Sequence, residues 1–240
     1  MNRGKIKLGL LIGILACTSI AIAVCSFLQP KPYEPAESNE EIMLPLSRTV
    51  GSVSVEEAIQ RRRSVRNFTD EPLSLADVSQ LLWAAQGVTD ASTQRRAVPS
   101  AGATFPLQLY AVVGKNGISG FAAGVYRYDP LSRRLERTVG RDVRAGLADA
   151  ALGQAWVRKA PVSIVVAAVY ERTTVKYGER GIRYVHIEVG HVGQNVCLQA
   201  TALGLGSVPV GAFYDDRVQT VLQLNRREVP LYIIPVGHPA

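Results

Sequence analysis

The chain has 240 residues, 47% of them hydrophobic and 20% charged, which suits one well-cored globular domain plus an appendage. Lys and Arg number 27 against 20 Asp and Glu, but Arg3, Lys5 and Lys7 sit at the extreme N-terminus; without them the balance is 27 − 3 − 20 = +4, too small to argue for nucleic acid as a partner. Three cysteines, Cys17, Cys25 and Cys197, exclude a disulfide framework.

Residues 1–28 read as a targeting element, with basic "MNRGKIK" ahead of a run from Leu8 to Leu28 that lacks Asp, Glu, Lys and Arg. Three forms fit: a signal peptide cleaved after Ala21-Ile22-Ala23, a lipoprotein box "ILAC" ending at Cys17, or an uncleaved membrane anchor of about 20 residues. In each, the basic end stays inside and the body is exported, to the periplasm or another extracytoplasmic space, touching a membrane only through this segment. No twin-arginine pair precedes the run, so secretion of the unfolded chain is expected. Residues 29–52, rich in proline, glutamate and serine, read as an extended tether.

The folded body is expected over 53–240. "SVEE" from Ser54 predicts a helix opened by a capping box between Ser54 and Glu57. "SLAD" from Ser74 predicts a second box and a helix with an apolar face of Leu75, Val78, Leu82 and Ala85, ended by Gly87. Strands follow at 107–114 and across 124–139, the latter turning at Asp129-Pro130. "RDVRAGLADAAL" predicts a helix, and the apolar, β-branched stretch 160–170 a strand covered on both faces. The longest helix is expected from about Arg183 to Leu203, then "SVPVGAF", a helix over 215–224 and the strand "PLYIIPVG". Without a regular βαβ alternation, the pattern predicts an α+β fold with a mixed sheet.

Several stretches carry candidate chemistry. "QRRRSVRNF" (60–68) gathers Arg62, Arg63, Ser64 and Arg66, a set suited to a phosphate because guanidinium forks bind its oxygens bidentately; the competing readings leave these arginines solvated at the surface or pair them with Asp70 and Glu71. "VPSAGATFP" (98–106) and "GLGSVPVGAF" (204–213) are loops of small residues that would let a flat ligand approach bare backbone amides, or plain turns. "HIEVGH" (186–191) lacks the spacing of a zinc helix, so no metal is expected. The small residues Gly190, Gly193, Ala200 and Ala202 point to close packing of the long helix, in a core or a subunit interface. "VKYGERG" (175–181) sets Lys176 beside Tyr177, either a polar surface turn or an acid–base pair in which the ammonium favours the ionised phenol. Cys197 reads as a small buried residue.

Taken in order, "RRSVRNF", "VPSAGATFPLQLYAVV", "GVYRYDPLSRRLE", "VKYGERGIRYVHIEVGHVGQNV" and "ALGLGSVPVGAF" resemble the flavin-dependent nitroreductase superfamily, and more narrowly its SagB-type dehydrogenases, which include the azoline oxidases. The resemblance covers about residues 42–239. It implies a nitroreductase-like, mixed and largely antiparallel sheet flanked by helices, in an intertwined homodimer that binds FMN at its interface. Carried over, Arg62, Ser64 and Arg66, with Arg63 adjacent, hold the phosphate and ribityl chain of FMN. Pro99, Ser100, Ala101 and Gly102 approach the ring from the partner subunit, and Pro209, Val210, Gly211 and Ala212 lie along it. Lys176 and Tyr177 match the pair implicated in proton removal. The implied function is an exported oxidoreductase acting on a small molecule or peptide by hydride transfer at flavin N5; the alternatives are a nitro- or quinone-reductase and a flavin-binding electron relay or scaffold without turnover.

Overall fold

Strand β1 (Glu41–Met43) is the first described element, since the computed structural model describes residues 41–240. The targeting segment and residues 29–40 of the tether lie outside the described residues. The remainder of the expected tether is tied to the body: Glu41 pairs in register with Glu136, Leu44 is buried, and the Arg48 amide donates to Gln80 Oε1 at 2.8 Å.

Helix α1 (Val55–Arg61) starts at Ser54, whose Oγ accepts from the Glu57 amide at 3.1 Å. Only that half of the expected box forms. The Glu57 carboxylate pairs instead with Arg61 one turn on, at 2.7 Å. Helix α2 (Leu75–Gln86) has both halves, Ser74 and Asp77 each bonding the other's backbone. Gly87 ends α2 in an extended conformation, φ −62°, rather than a left-handed one. A small hairpin that the sequence pattern did not foretell, β2 (Val88–Asp90) and β3 (Arg95–Arg96), follows.

The sheet is built from β4 (Leu107–Val113), β5 (Gly124–Asp129), β6 (Arg134–Val139), β7 (Val162–Ala168), β8 (Gly206–Ser207) and β9 (Val229–Gly237), in the order β1-β6-β5-β4-β7-β9-β8. Its ladders are all antiparallel; parallel contact is confined to isolated bridges, one joining Ser64 to Ser207. The connecting helices are α3 (Arg144–Ala150), α4 (Ala155–Lys159), α5 (Glu171–Tyr177), α6 (Arg180–Ala202) and α7 (Asp215–Leu222).

Strand β7 shows why its stretch is continuously apolar. Ile164 and Val166 face a core shared with Val78, Leu82 and Val185 of α2 and α6, while Val165 and Ala167 face Leu147 and Val218 of α3 and α7. Helices thus cover both faces, and each fully buried valine or isoleucine contributes roughly 1.5–3 kcal/mol. Helix α6, 23 residues long, spans about 33 Å. Its small residues divide between two environments: Ala200 is fully buried and a Cβ on Gly193 would stand 2.7 Å from the Tyr232 ring, while one on Gly190 would meet nothing within 4 Å. Among the described residues, no helix is long and apolar enough to cross a membrane.

Candidate active site

The predicted site residues gather into two groups. The first surrounds the arginine-rich turn after α1. The Val65 amide donates to Ser207 O at 3.0 Å, and Gly206 is packed so closely on Val65 that a Cβ there would lie 2.6 Å from Val65 Cγ1. These contacts bring 62–66 to the loop that begins at β8. The loop continues along β9, with Val210 and Ile233 exchanging both backbone bonds at 2.7 and 3.0 Å. Two residues unmarked in the sequence clasp the group from the start of α4. Gln154 Nε2 donates to Ala212 O at 2.9 Å, and the Trp156 ring lies beneath the Arg66 guanidinium at 5.4 Å.

Neither Asp70 nor Glu71 neutralises these arginines: among the described residues none of Arg62, Arg63 and Arg66 enters an ion pair, and Glu71 faces His238 instead. Arg63 folds onto its own backbone, donating to Gln60 O and Arg62 O at 2.8 Å each. Arg62 lies half-buried near Cys197, whose thiol burial pushes up in pKa and Arg62 draws back. The Gly211 and Ala212 amides donate to no other group among the described residues. Among the described residues the turn thus offers two guanidinium groups without an ion pair, Arg62 and the Trp156-stacked Arg66, and Gln154 and Trp156 connect it to the loop that carries the two amides.

The second group forms where the 99–105 loop meets α5 and α6. Gly102 is left-handed at φ +60°, and so are Ala103 at +54° and Phe105 at +43°, non-glycine residues in a region that costs on the order of 1–3 kcal/mol each. A Cβ on Gly102 would collide with the Tyr177 hydroxyl and stand 2.6 Å from Lys176 Nζ. The loop is latched further by Thr104 Oγ1 to Thr173 Oγ1 at 2.8 Å and by Arg172 Nη1 donating to Phe105 O at 3.1 Å. Lys176 and Tyr177 are the last residues of α5, not a turn; the chain breaks at Gly178, φ +58°. Lys176 Nζ sits 5.5 Å from the Tyr177 ring centre, and Tyr184 meets that ring edge-on at 5.2 Å.

Behind the loop is a buried polar cluster. Glu188, 2% exposed, accepts from Gln86 Nε2 at 3.2 Å, and Gln86 Oε1 accepts from Arg96 Nη1 at 3.1 Å. Burial pushes the Glu188 carboxyl up in pKa, with Ser100, Gln86 and Arg96 drawing it down, and burial lowers Arg96. The sequence carried a signal for Glu188: it falls on the valine face of α6 with Val185, Val189, Val192 and Val196, where only a satisfied carboxylate belongs. His186 turns elsewhere, its Nε2 2.6 Å from Tyr170 Oη.

Within one chain the two groups stay apart, the first beside the C-terminal half of α6 near Cys197 and the second beside its N-terminal half near Tyr184. Twelve residues of helix lie between Tyr184 and Cys197, which puts the two about 20 Å apart along the axis.

The large antiparallel sheet flanked by helices is the fold of solved structures described as nitroreductases. Residues 59–238 match the nitroreductase family, and the chain belongs to it, as a flavin-dependent oxidoreductase. MJ1384 of Methanocaldococcus jannaschii, named a nitroreductase, is 47% identical over 197 residues, covering 82% of this chain and 96% of that protein. An FMN reductase (NAD(P)H) of Bacillus subtilis is 25% identical over 194 residues, covering 74% of this chain and 63% of its own length. In the solved Escherichia coli microcin synthetase McbBCD complex with truncated pro-MccB17 bound, one chain matches with TM-score 0.68 at 26% identity, covering 89% of this chain and 83% of that one. The residues fit a flavin: among the described residues Arg62 and Arg66 have no acidic partner, and the Gly211 and Ala212 amides donate to no acceptor.

Proposed function

We propose that the protein is an exported, FMN-dependent dehydrogenase of the SagB type, acting on an azoline-like ring in a small molecule or peptide. The observation that carries this reading is the contact of Gly102 with Lys176 and Tyr177, because it joins two motifs of the azoline-oxidase resemblance at one spot. When bound, the flavin would supply a hydride acceptor at N5. The Arg62 and Arg66 guanidiniums, with Ser64, would hold the FMN phosphate, and the Gly211 and Ala212 amides would lie along the ring. Arg63, already bonded to Gln60 O and Arg62 O, would serve less directly. Oxidising an azoline to an azole removes one hydride and one proton from the ring. The proton would go to the Tyr177 oxygen, with Lys176 Nζ close by at the same Gly102 contact to assist its transfer.

The separation of the two groups along α6 supports a homodimer, with the Pro99–Gly102 loop of a second copy completing the site at Arg62–Arg66. Export rests on the basic start and apolar run of residues 1–28. A peptide substrate is in keeping with the microcin complex, which holds truncated pro-MccB17. A nitro- or quinone-reductase is the second reading, favoured by the name of the Methanocaldococcus relative.

The test is Tyr177→Phe, which keeps the ring and its packing on Tyr184. With a thiazoline-containing test compound, flavin reduction should slow by about 10²–10⁴, the usual share of general acid–base catalysis, while FMN occupancy is unchanged. Wild-type rates in both Tyr177→Phe and Lys176→Met, on a reaction that must break a C–H bond, would overturn the acid–base reading. Nitroaromatic turnover without thiazoline oxidation would favour the second reading.

A further inference from the structure

We propose that Glu188 is a positioning residue for the Lys176–Tyr177 pair, acting through the 99–105 loop; this rests on the acid–base reading above. The geometry runs in one direction. The Glu188 carboxylate bonds Gln86, Gln86 bonds Arg96, and the Arg96 guanidinium lies 4.2 Å from the centre of the Phe105 ring. The Ser100 hydroxyl, which also stabilises the ionised Glu188, accepts from the Phe105 amide at 3.0 Å. Both branches end on Phe105, a residue held at φ +43°. Such a conformation persists only where its surroundings over-determine it. The strained segment, in turn, presents Gly102 to Lys176 and Tyr177.

The charge on Glu188 matters more than its bulk. Arg96 forms no ion pair among the described residues and its buried Nε has no acceptor there; burial disfavours its charge, and the Glu188 carboxylate is what chiefly favours it. Beyond Gln86 and Arg96 opens a cavity of about 360 Å³, lined also by Leu107 and Asp129. Arg96 therefore has room to withdraw once the opposing charge is removed. Removing it would release the guanidinium from the Phe105 ring, and with it the clamp on the loop.

The experiment compares Glu188→Gln, which is isosteric and neutral, with the double exchange Glu188→Gln/Gln86→Glu, which returns one carboxylate and one amide to the same buried pair. Two readouts are taken on the flavin-loaded protein. One is hydrogen exchange at the Phe105 amide, which reports opening of the loop whatever the activity. The other is thiazoline-driven flavin reduction, split into kcat and KM. Glu188→Gln should speed Phe105 exchange about tenfold and lower kcat about 10- to 100-fold, the range for a misplaced catalytic group, with KM and FMN affinity within about twofold. The exchange variant should recover most of both effects. An unchanged Phe105 exchange rate in Glu188→Gln overturns the proposal, as does a loosened loop with normal kcat. Tyr177→Phe, run alongside, separates the two ideas. If it is slow while Glu188→Gln is fast, only the positioning role falls; if Tyr177→Phe is fast, the acid–base reading falls.

Discussion

Replacing Gly102 by alanine tests the contact on which the proposed chemistry depends. Gly102 is left-handed at φ +60°, where an added Cβ costs roughly 1–2 kcal/mol of backbone strain. In a domain of this size that corresponds to a fall in melting temperature of about 2–8 °C. The methyl carbon would stand 2.6 Å from Lys176 Nζ and closer still to the Tyr177 hydroxyl, whereas ordinary contact starts at 3.4 Å. The amine must therefore retreat by 3.4 − 2.6 = 0.8 Å, and the phenol by more. Lys176 Nζ ends a flexible side chain and can retreat, whereas the phenol must swing as a rigid ring against Tyr184. Displacing a catalytic group by about 1 Å costs up to about 10²-fold in rate. Stopped-flow absorbance with a thiazoline compound should show flavin reduction slowed by about 10- to 100-fold. Fluorescence titration should give an FMN affinity unchanged within about twofold. A Gly102→Ala protein that melts slightly lower yet reduces its flavin at the wild-type rate would refute the argument, since displaced Lys176 and Tyr177 would then be dispensable.

Other outcomes follow from the same geometry. Arg62→Ala with Arg66→Ala should weaken FMN by at least about tenfold, because charged hydrogen bonds contribute roughly 1.5–3 kcal/mol each, and should barely alter riboflavin; equal losses on isothermal titration would remove the phosphate from this turn. Sedimentation of the flavin-loaded body should show a dimer, and a loaded monomer at micromolar concentration would mean that one chain closes the site alone. Asp142 is held below its usual pKa: burial opposes this, but the Arg144 guanidinium at 2.7 Å and the Lys115 amide at 2.8 Å outweigh it. A depressed carboxyl stabilises the fold above its unfolded pKa, and that contribution is lost as pH falls through the lower folded value. The gap in melting temperature between wild type and Asp142→Asn should therefore be full near neutrality and shrink below about pH 4. A gap that grows on acidification would contradict the assignment.

Local chemistry alone determined much of this protein. Ser74 and Asp77 specify the start of α2, and the strand-like apolar runs at 107–113 and 162–168 specify β4 and β7. Those signals lie within one turn or one pleat of the residue concerned, where spacing and side-chain type suffice. The arginine turn and the small-residue loops were legible as pieces for the same reason, and their order along the chain carried the family resemblance. Their joining was decided only by the tertiary path. The bridge from Ser64 to Ser207, the clasp of Gln154 and Trp156 on Ala212 and Arg66, and the seat of Gly102 on Lys176 and Tyr177 each bring together residues far apart in sequence. Lys176 and Tyr177 read as a turn because Gly178 follows them, yet they close α5, since α5 packs on α6 and the Gly178 amide completes its last turn on Thr174 O at 2.8 Å. Glu188 looked like part of a failed metal motif. Its meaning came from Gln86 and Arg96, two segments away, because a buried carboxylate is defined by the partners that the fold supplies.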